Sequence, residues 1–335
     1  MHRQYWLQSM VCLGLVVWLL AACGGVNAEP TAVPTPIPPT PPPGSATENA
    51  SYYRFMLGDL ECVCLYDGIH DYALKDTFAG VPREQVQAAL LQHSLPTYSA
   101  RLAYTFLYVN TGAHQVLVDM GAGKWVPNAG ELVRSMAAAG IRPEQIDTVV
   151  ITHAHPDHIG GVFDAEGNLA FPNAHYYVAQ KEWDYWMSAD PSTVEAEALR
   201  HHLELLVGEA RKAFDAIKDQ VTLVQGGEEI VPGVRFEATH GHTPGHAMVS
   251  VAADEQTLYN ISDVVIDPLF LEHPEWAPAI DMDAGQADKA RRRFFAQAAE
   301  ENALVFAHHL GPFPNLGYIV EKGDAWQWQP IETEG

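Results

Sequence analysis

A short histidine-rich segment constrains this chain more than any other feature. Directly after the apolar run 148–151, six consecutive residues carry four metal-binding side chains: His153, His155, Asp157 and His158. Residues two apart in extended backbone project to the same side, so His153 and His155 face one point. Asp157 and His158 stand where the chain turns into a helix and point elsewhere. Because imidazole and carboxylate groups bind transition metals, the segment predicts a place where two metal ions bind side by side.

Further candidate ligands follow downstream, each just past the end of a predicted strand. Loops at strand ends gather around a site on a rigid scaffold. In segment 239–246 we expect His246 to be a ligand, and His240 and His242 to play other parts, such as hydrogen bonds to the backbone. Together with the first segment this gives five imidazoles and two carboxylates, with an open position for water at each metal. The predicted ligands are His153, His155, Asp157, His158, His246, Asp263 and one of His308 or His309.

The charge of the chain narrows its partners. Among 335 residues, 19 are Lys or Arg and 42 are Asp or Glu, a formal net charge of −23. Phosphate binding needs a basic surface, so we expect no nucleic-acid partner. The acidity is explained by solubility, and an acidic surface tolerates cationic or neutral substrates better than polyanions. The 47% apolar content is enough for one large domain with a substantial core.

The first 51 residues predict export and anchoring. Residues 1–22 have the pattern of a signal peptide, with an apolar run too short to span a bilayer. The run ends in small residues directly before Cys23, which resembles the bacterial lipobox and implies lipidation of that cysteine. An ordinary signal peptide with an incidental cysteine is the alternative. Residues 23–51 form a proline-rich linker that favours polyproline II. We therefore expect a folded domain at 52–335, held by lipid outside the cytoplasm on a bacterial membrane surface.

The domain alternates strand and helix patterns. Two groups of strands each carry helices, which predicts a layered α/β arrangement with helices outside two central sheets. Cys62 and Cys64 alternate along one strand and are interpreted as buried apolar side chains, with a metal or redox pair as the alternative. Strands are predicted at 53–57, 60–66, 102–109, 115–119, 148–152, 175–179, 221–224, 234–238, 248–252, 258–261, 304–307, 317–320 and 325–329, and helices at 83–93, 128–139, 157–163, 181–187, 193–217 and 283–300.

These motifs resemble the metallo-β-lactamase superfamily of metal hydrolases. Within it the chain is similar to methyl parathion hydrolase and the related lactonases. The resemblance implies the four-layer αββα metallo-β-lactamase sandwich, an enzyme, and a homodimer. It covers roughly residues 53–330 and includes residues 57–59, 109–112, 117–121, 143–147, 152–161, 171–174, 180–182, 240–246 and 313–314.

The resemblance also implies a role for each ligand. His153, His155 and His246 would bind one metal, Asp157, His158 and a terminal histidine the other, and Asp263 would bridge both. We choose His309 as the terminal ligand because His309-Leu310 fits the family pattern. His308 is the alternative, since an extra residue before Phe313 leaves the register open.

The implied cofactors are two divalent metal ions, with Zn as first choice and Mn, Fe or Co as alternatives. A metal-bridging hydroxide would attack a carbonyl or phosphoryl centre, with Asp157 and Asp263 as the catalytic carboxylates. Asp119 is interpreted as a partner of a ligating histidine or as a turn residue that caps backbone. Trp125 and Trp186 are expected in the wall of the substrate pocket, or else in the packing of a cover helix. In the pocket wall they would favour a small neutral or apolar substrate.

The predicted function is metal-dependent hydrolysis of a lactone, an ester or an organophosphate triester. An exported β-lactamase is one alternative, against which Asp263 argues because lactamases of this fold usually lack a bridging carboxylate there. A lipoprotein that only binds metal or a ligand on the same fold is the other alternative. The complete set of ligands argues against it, because degenerate members of a family usually lose ligands.

Overall fold

The computed structural model describes residues 51–333. Cys23, the predicted signal peptide and the linker up to residue 50 lie outside this range. The helices are α1 (Leu74–Thr77), α2 (Arg83–Gln92), α3 (Leu132–Ala138), α4 (Pro156–Ile159), α5 (Gln180–Ser188), α6 (Glu197–Ile217), α7 (Leu269–Glu272) and α8 (Ala284–Glu301). The strands are β1 (Tyr52–Leu57), β2 (Leu60–Ala73), β3 (Phe78–Ala79), β4 (Ser99–Asn110), β5 (Gln115–Val118), β6 (Thr148–Ile151), β7 (His175–Ala179), β8 (Val221–Val224), β9 (Glu229–Val231), β10 (Val234–Ala238), β11 (Ala247–Ala253), β12 (Gln256–Asn260), β13 (Ala277–Pro278), β14 (Leu304–Phe306), β15 (Leu316–Lys322) and β16 (Ala325–Pro330).

Most strands of the described range belong to two large sheets. The first has seven strands in the order β1-β2-β4-β5-β6-β7-β8 and runs parallel from β5 onward. The second has seven strands in the order β16-β15-β14-β12-β11-β10-β9, with a parallel pair at β12 and β14. Parallel neighbours end at the same sheet edge, so the loops after β6, β12 and β14 lie where side chains can gather into a site.

Four layers pack through two hydrophobic cores, one between the sheets and one that covers the outer faces of both sheets. One core contains Phe55, Val109, Phe236 and Val249 among others; it draws on both sheets and, within residues 51–333, on no helix. The other core lies where helices pack on the outer sheet faces and includes Phe214 of α6 and Phe295 of α8. The expected αββα sandwich is therefore confirmed. Among the described residues, no helix combines the length and apolar character needed to cross a membrane.

Two local differences from the sequence expectation have clear causes. The strand predicted to stop at residue 66 continues to Ala73, because Asp67-Gly68 forms a bulge and not a turn. The buried Asp67 carboxylate accepts backbone N–H groups of Ala122 and Leu132 there. The helix predicted from residue 128 begins only at Leu132, since Asn128 has φ 64° and cannot open a right-handed helix.

The cysteine pair agrees with its apolar interpretation. Cys62 and Cys64 both point into the core between the sheets, and among the described residues both are free thiols. Burial raises the pKa of the Cys62 thiol to about 12, which leaves it protonated and unreactive at neutral pH.

Candidate metal centre

Residues from both sheets meet at one edge of the sandwich. His153 and His155 follow β6, and α4 carries Asp157 and His158. His242 lies in the loop between β10 and β11, Asp263 lies in a 3₁₀ turn after β12, and His308 and His309 follow β14. A hydrogen bond of 2.8 Å between Thr152 Oγ1 and Ser262 Oγ joins the two halves. Each group is therefore held at the end of a strand by a rigid scaffold.

The first cluster consists of His153, His155, His242 and Asp263, all buried. His155 Nδ1 lies 3.1 Å from His153 Nε2 and 3.0 Å from His242 Nε2. Asp263 Oδ2 lies 3.3 Å from His242 Nε2. Three imidazole nitrogens and one carboxylate oxygen thus converge on a single point, the arrangement that holds a divalent cation.

The second cluster consists of Asp157, His158, His308 and His309. Asp263 also faces this cluster, because its other oxygen, Oδ1, lies 3.1 Å from His158 Nε2 and 3.4 Å from His309 Nε2. One oxygen of Asp263 therefore points to each cluster. This is the geometry that the sequence expectation of a bridging carboxylate requires.

Carboxylates behind the clusters orient two of the imidazoles. Asp119 Oδ2 accepts a hydrogen bond of 2.8 Å from His158 Nδ1, and Asp119 also accepts the backbone N–H of Thr152. Both interpretations given to Asp119 from the sequence thus apply. Asp281, which the sequence reasoning missed, accepts His242 Nδ1–H at 3.0 Å and is itself held by Arg291 at 2.8 Å. In both cases Nδ1 bonds a carboxylate, so Nε2 is the nitrogen left to face the cluster and bind a cation there.

The structure corrects the choice made within segment 239–246. His246 Nδ1 donates to the backbone oxygen of Thr239 at 3.1 Å, and its Nε2 accepts the Asp263 backbone N–H at 3.2 Å. Within the described chain both nitrogens are thus engaged with protein groups, and His246 stays outside the two clusters. Thr239 and His246 pair at the base of the loop, which places His242 at its tip. No positional signal along the chain could show this, because the closure of the loop depends on the pairing of β10 with β11.

A buried carboxylate that the sequence reasoning also missed supports both halves of the first cluster. Glu182 Oε1 accepts the Ala154 backbone N–H at 2.9 Å and the Trp186 Nε1–H at 2.7 Å. Glu182 Oε2 accepts Thr243 Oγ1–H at 2.7 Å and the Gly245 backbone N–H at 2.8 Å. It thereby fixes the segment of His155 to the loop of His242.

The two tryptophans do not form the expected pocket wall. Trp186 is fully buried, and its ring packs edge-on against His155 with centroids 5.9 Å apart, so it supports the cluster from behind. Trp125 is 38% exposed and lines a surface groove with Lys124 and Phe163. Among the described residues that line this groove there is none of the eight clustered donors. Packing, the alternative interpretation, fits Trp186 better.

Charges inside the centre favour a bound cation. Burial, aided by neighbouring imidazoles, lowers the pKa of His153 and His155 and keeps them neutral. Burial alone would raise the pKa of Asp263, but the neighbouring His158 and His309 outweigh it and hold that pKa well below its usual range. Burial also opposes charge on His158 and His242, but Asp263 with Asp119 raises the pKa of His158, and Asp263 with Asp281 raises that of His242 to about 9. The carboxylates thus hold positive charge at the centre, and an ionised carboxylate surrounded by imidazoles is a typical ligand environment for a transition metal.

Unsatisfied atoms support the same conclusion. Within residues 51–333, His308 Nε2 is buried and makes no hydrogen bond, and the buried His158 Nε2 and Asp263 Oδ1 lie 3.1 Å apart without the geometry of a hydrogen bond. Leaving a buried polar atom unpaired costs about 1 to 3 kcal/mol, so these atoms need another partner. All three lie in or between the clusters, and a divalent cation at each cluster would satisfy them. The residues therefore fit two cations.

Comparison with known proteins gives the family. The sequence profile of the metallo-β-lactamase superfamily matches residues 100–309. The chain belongs to the metallo-β-lactamase superfamily. An N-acyl homoserine lactonase of Bacillus cereus is 24% identical over 180 residues, which are 53% of this chain and 61% of that protein. A second one, from Bacillus sp, is 28% identical over 124 residues, 37% of this chain and 40% of that protein. The chain thus spans less than two thirds of these curated relatives.

Solved structures of the superfamily agree over a greater length. AidC, described as a dizinc quorum-quenching lactonase in complex with a product, has a TM-score of 0.80 and 27% identity, covering 85% of this chain and 99% of that chain. The hydrolase AbOPH of the β-lactamase superfamily has a TM-score of 0.79 and 26% identity, covering 86% of this chain and 100% of that chain. These relatives are a dizinc lactonase and a hydrolase, so they agree with the expectation of a metal-dependent hydrolase.

Proposed function

We propose that this protein is a hydrolase of lactones or esters that uses two divalent cations, with Zn²⁺ as the first candidate. The observation that carries the proposal is the pair of buried donor clusters that share Asp263. His153, His155, His242 and Asp263 would hold one cation, and Asp157, His158 and His309 the other, with Asp263 between them. When bound, such cations lower the pKa of water and polarise a substrate oxygen.

Asp157 is the group through which the chain itself would move a proton. Its side chain is 20% exposed, whereas that of His158 is 0% exposed, so solvent reaches the second cluster beside Asp157. Asp157 Oδ2 lies 3.7 Å from His309 Nε2, within reach of whatever is bound at that cluster. We assign Asp157 to take a proton from the attacking water and to pass it to the leaving oxygen.

Two tyrosines supply hydrogen-bond donors beside the same cluster. The hydroxyls of Tyr72 and Tyr104 lie 2.6 Å apart, and the Tyr104 ring meets the His309 ring edge-on at 5.0 Å. Burial, with a contribution from Asp157, raises the pKa of Tyr72 to about 12. Burial also raises the pKa of Tyr104, so both hydroxyls keep their protons at neutral pH, and the half-buried Tyr72 can donate to a substrate oxygen.

The substrate class rests on the relatives. The two Bacillus relatives are named N-acyl homoserine lactonases and AidC is described as a lactonase, which supports a lactone as the first candidate. Similarity to methyl parathion hydrolase, stated above from the motifs, supports aryl phosphotriesters as a second class within the same chemistry. A small neutral substrate remains part of the proposal.

The test is an activity panel on the purified, metal-reconstituted protein. The panel contains acyl-homoserine lactones of several chain lengths, aryl esters, an aryl phosphotriester and a cephalosporin. We expect lactone turnover that a chelator abolishes and that Zn²⁺ or Mn²⁺ restores. Turnover retained by metal-free protein would refute the proposal, and turnover of the cephalosporin alone would replace it with a β-lactamase. Sedimentation analysis of the same sample tests the proposed homodimer.

We also propose that Cys23 is lipidated and that residues 23–51 tether the domain to a bacterial membrane surface outside the cytoplasm. The lipobox pattern and the proline-rich linker support this. Radiolabelled palmitate should be incorporated into the wild-type protein and not into Cys23→Ala. Equal labelling of both proteins would overturn the proposal.

A further inference from the structure

Two adjacent histidines after β14, His308 and His309, are oriented by the same kind of hydrogen bond to the backbone. His309 Nδ1 donates to the Ala103 backbone oxygen at 2.8 Å, and His308 Nδ1 donates to the Thr105 backbone oxygen at 2.6 Å. Ala103 and Thr105 are two apart on β4, and carbonyl groups two apart on a strand point to the same edge. Each imidazole is thus fixed in the tautomer whose Nε2 carries a free lone pair.

A ring nitrogen of His308 belongs to the second cluster. It is one of the four ligand atoms, one each from Asp157, His158, His308 and His309, that all lie within 4.8 Å of one another. Because Nδ1 is engaged with the Thr105 carbonyl, Nε2 is the nitrogen left to bind a cation. The ring packs against His158 at a centroid distance of 4.3 Å and against Phe106 at 4.5 Å. His308 is 2% exposed, so water does not reach it freely.

Packing alone does not account for a histidine here. The Nε2 atom of His308 is buried and has no hydrogen-bond partner among residues 51–333. An apolar side chain of similar size would fill the same space without the cost of an unpaired polar atom. A divalent cation is the partner that fits Nε2, because the other three members of the cluster would bind the same cation.

We propose that His308 and His309 are both ligands of the second cation. The inference rests on the proposed two-cation function and deepens it. The centre would then contain six ligating imidazoles, three in each cluster, where the sequence expectation had five. A third nitrogen ligand makes the second cluster favour Zn²⁺ or Co²⁺ over Mn²⁺ or Mg²⁺, which prefer oxygen ligands.

The direct test counts imidazoles on the wild-type protein. The full chain is labelled with ¹⁵N-histidine and loaded with ¹¹³Cd²⁺, and couplings between cadmium and nitrogen are measured by NMR. We expect two cadmium resonances, each coupled to three imidazole nitrogens. A resonance coupled to only two imidazoles would overturn the proposal. This measurement needs no variant, so it stands even where a substitution prevents folding.

The second test measures Zn²⁺ affinity in a series of chelator buffers. His308→Gln and His309→Gln should each weaken one of the two sites by at least roughly tenfold, since even the loss of a partner behind a ligand costs about 10- to 100-fold. His175→Gln is the matched control, because His175 is exposed on β7 and bonds Thr222 Oγ1 at 2.7 Å. Unchanged affinity in His308→Gln would contradict the proposal.

The two proposals fail in different ways. If the wild-type protein binds two cations through six imidazoles but hydrolyses nothing in the panel, the proposed function is wrong and the ligand assignment stands. If lactone turnover depends on metal while His308→Gln binds both cations like the wild type, the assignment is wrong and the function stands.

Discussion

The exchange of His246 for His242 can be tested with two matched substitutions. His242→Leu and His246→Leu each remove an imidazole and replace it with a side chain of similar volume. The structure predicts opposite effects, because His242 Nε2 faces the first cluster while both nitrogens of His246 bond the protein. One variant should lose metal affinity, and the other should lose stability.

The magnitudes follow from the contacts. His246→Leu leaves the buried Asp263 backbone N–H without its partner, which costs about 1 to 3 kcal/mol, whereas the part-buried Thr239 carbonyl can turn to water. The metal-free protein should therefore lose about 1 to 3 kcal/mol of unfolding free energy. His242→Leu should weaken one site by at least about 10- to 100-fold, equivalent to about 1.4 to 2.8 kcal/mol. Asp281 keeps Arg291 as a partner in that variant, so its stability should change less.

Two assays separate the effects. Denaturant unfolding in excess chelator gives the stability of the metal-free proteins, and elemental analysis after dialysis against graded chelator gives metal content. Suppose His246→Leu loses one metal without losing metal-free stability, while His242→Leu keeps both metals. That pair of results would refute the reasoning and restore His246 as the ligand.

Three further predictions concern residues around the centre. Asp119→Asn removes the charge that holds His158 Nδ1 at 2.8 Å, and should weaken metal binding about 10- to 100-fold in chelator competition, with unchanged affinity as the contrary result. Thr243→Val removes the 2.7 Å hydrogen bond to buried Glu182, and should lower stability by about 1.5 to 3 kcal/mol in denaturant unfolding while metal content stays at the wild-type level. Burial raises the pKa of Asp267 to about 6, so the folded state retains a proton that an unfolded Asp loses near pH 4, and stability falls as pH rises between these values. The stability of Asp267→Asn relative to wild type should therefore grow from near zero below pH 4 to about 3 kcal/mol at pH 7, and a difference independent of pH would contradict this.

Local patterns were enough for the elements of the fold. Alternation and apolar runs predicted most strands of both sheets, because a strand buried on one or two faces must show them. The errors occur where the local composition is that of a turn or a helix start but a tertiary contact imposes another conformation. Asp67-Gly68 has the composition of a turn, yet it forms a bulge because the Asp67 carboxylate satisfies backbone groups on a distant loop.

For the site, the sequence by itself determined which chemistry is present and roughly where. Spacing within residues 153–158 and the positions of Asp263 and His309 after strands were sufficient, because strand ends in a layered fold converge at one edge. Only the tertiary structure decided between residues of equal chemical ability. His242 and His246 are both imidazoles in one loop, and pairing of Thr239 with His246 directs one to the cluster and the other to the backbone. His308 and His309 looked like alternatives along the chain, but two carbonyl groups of β4 orient both rings towards the same cluster.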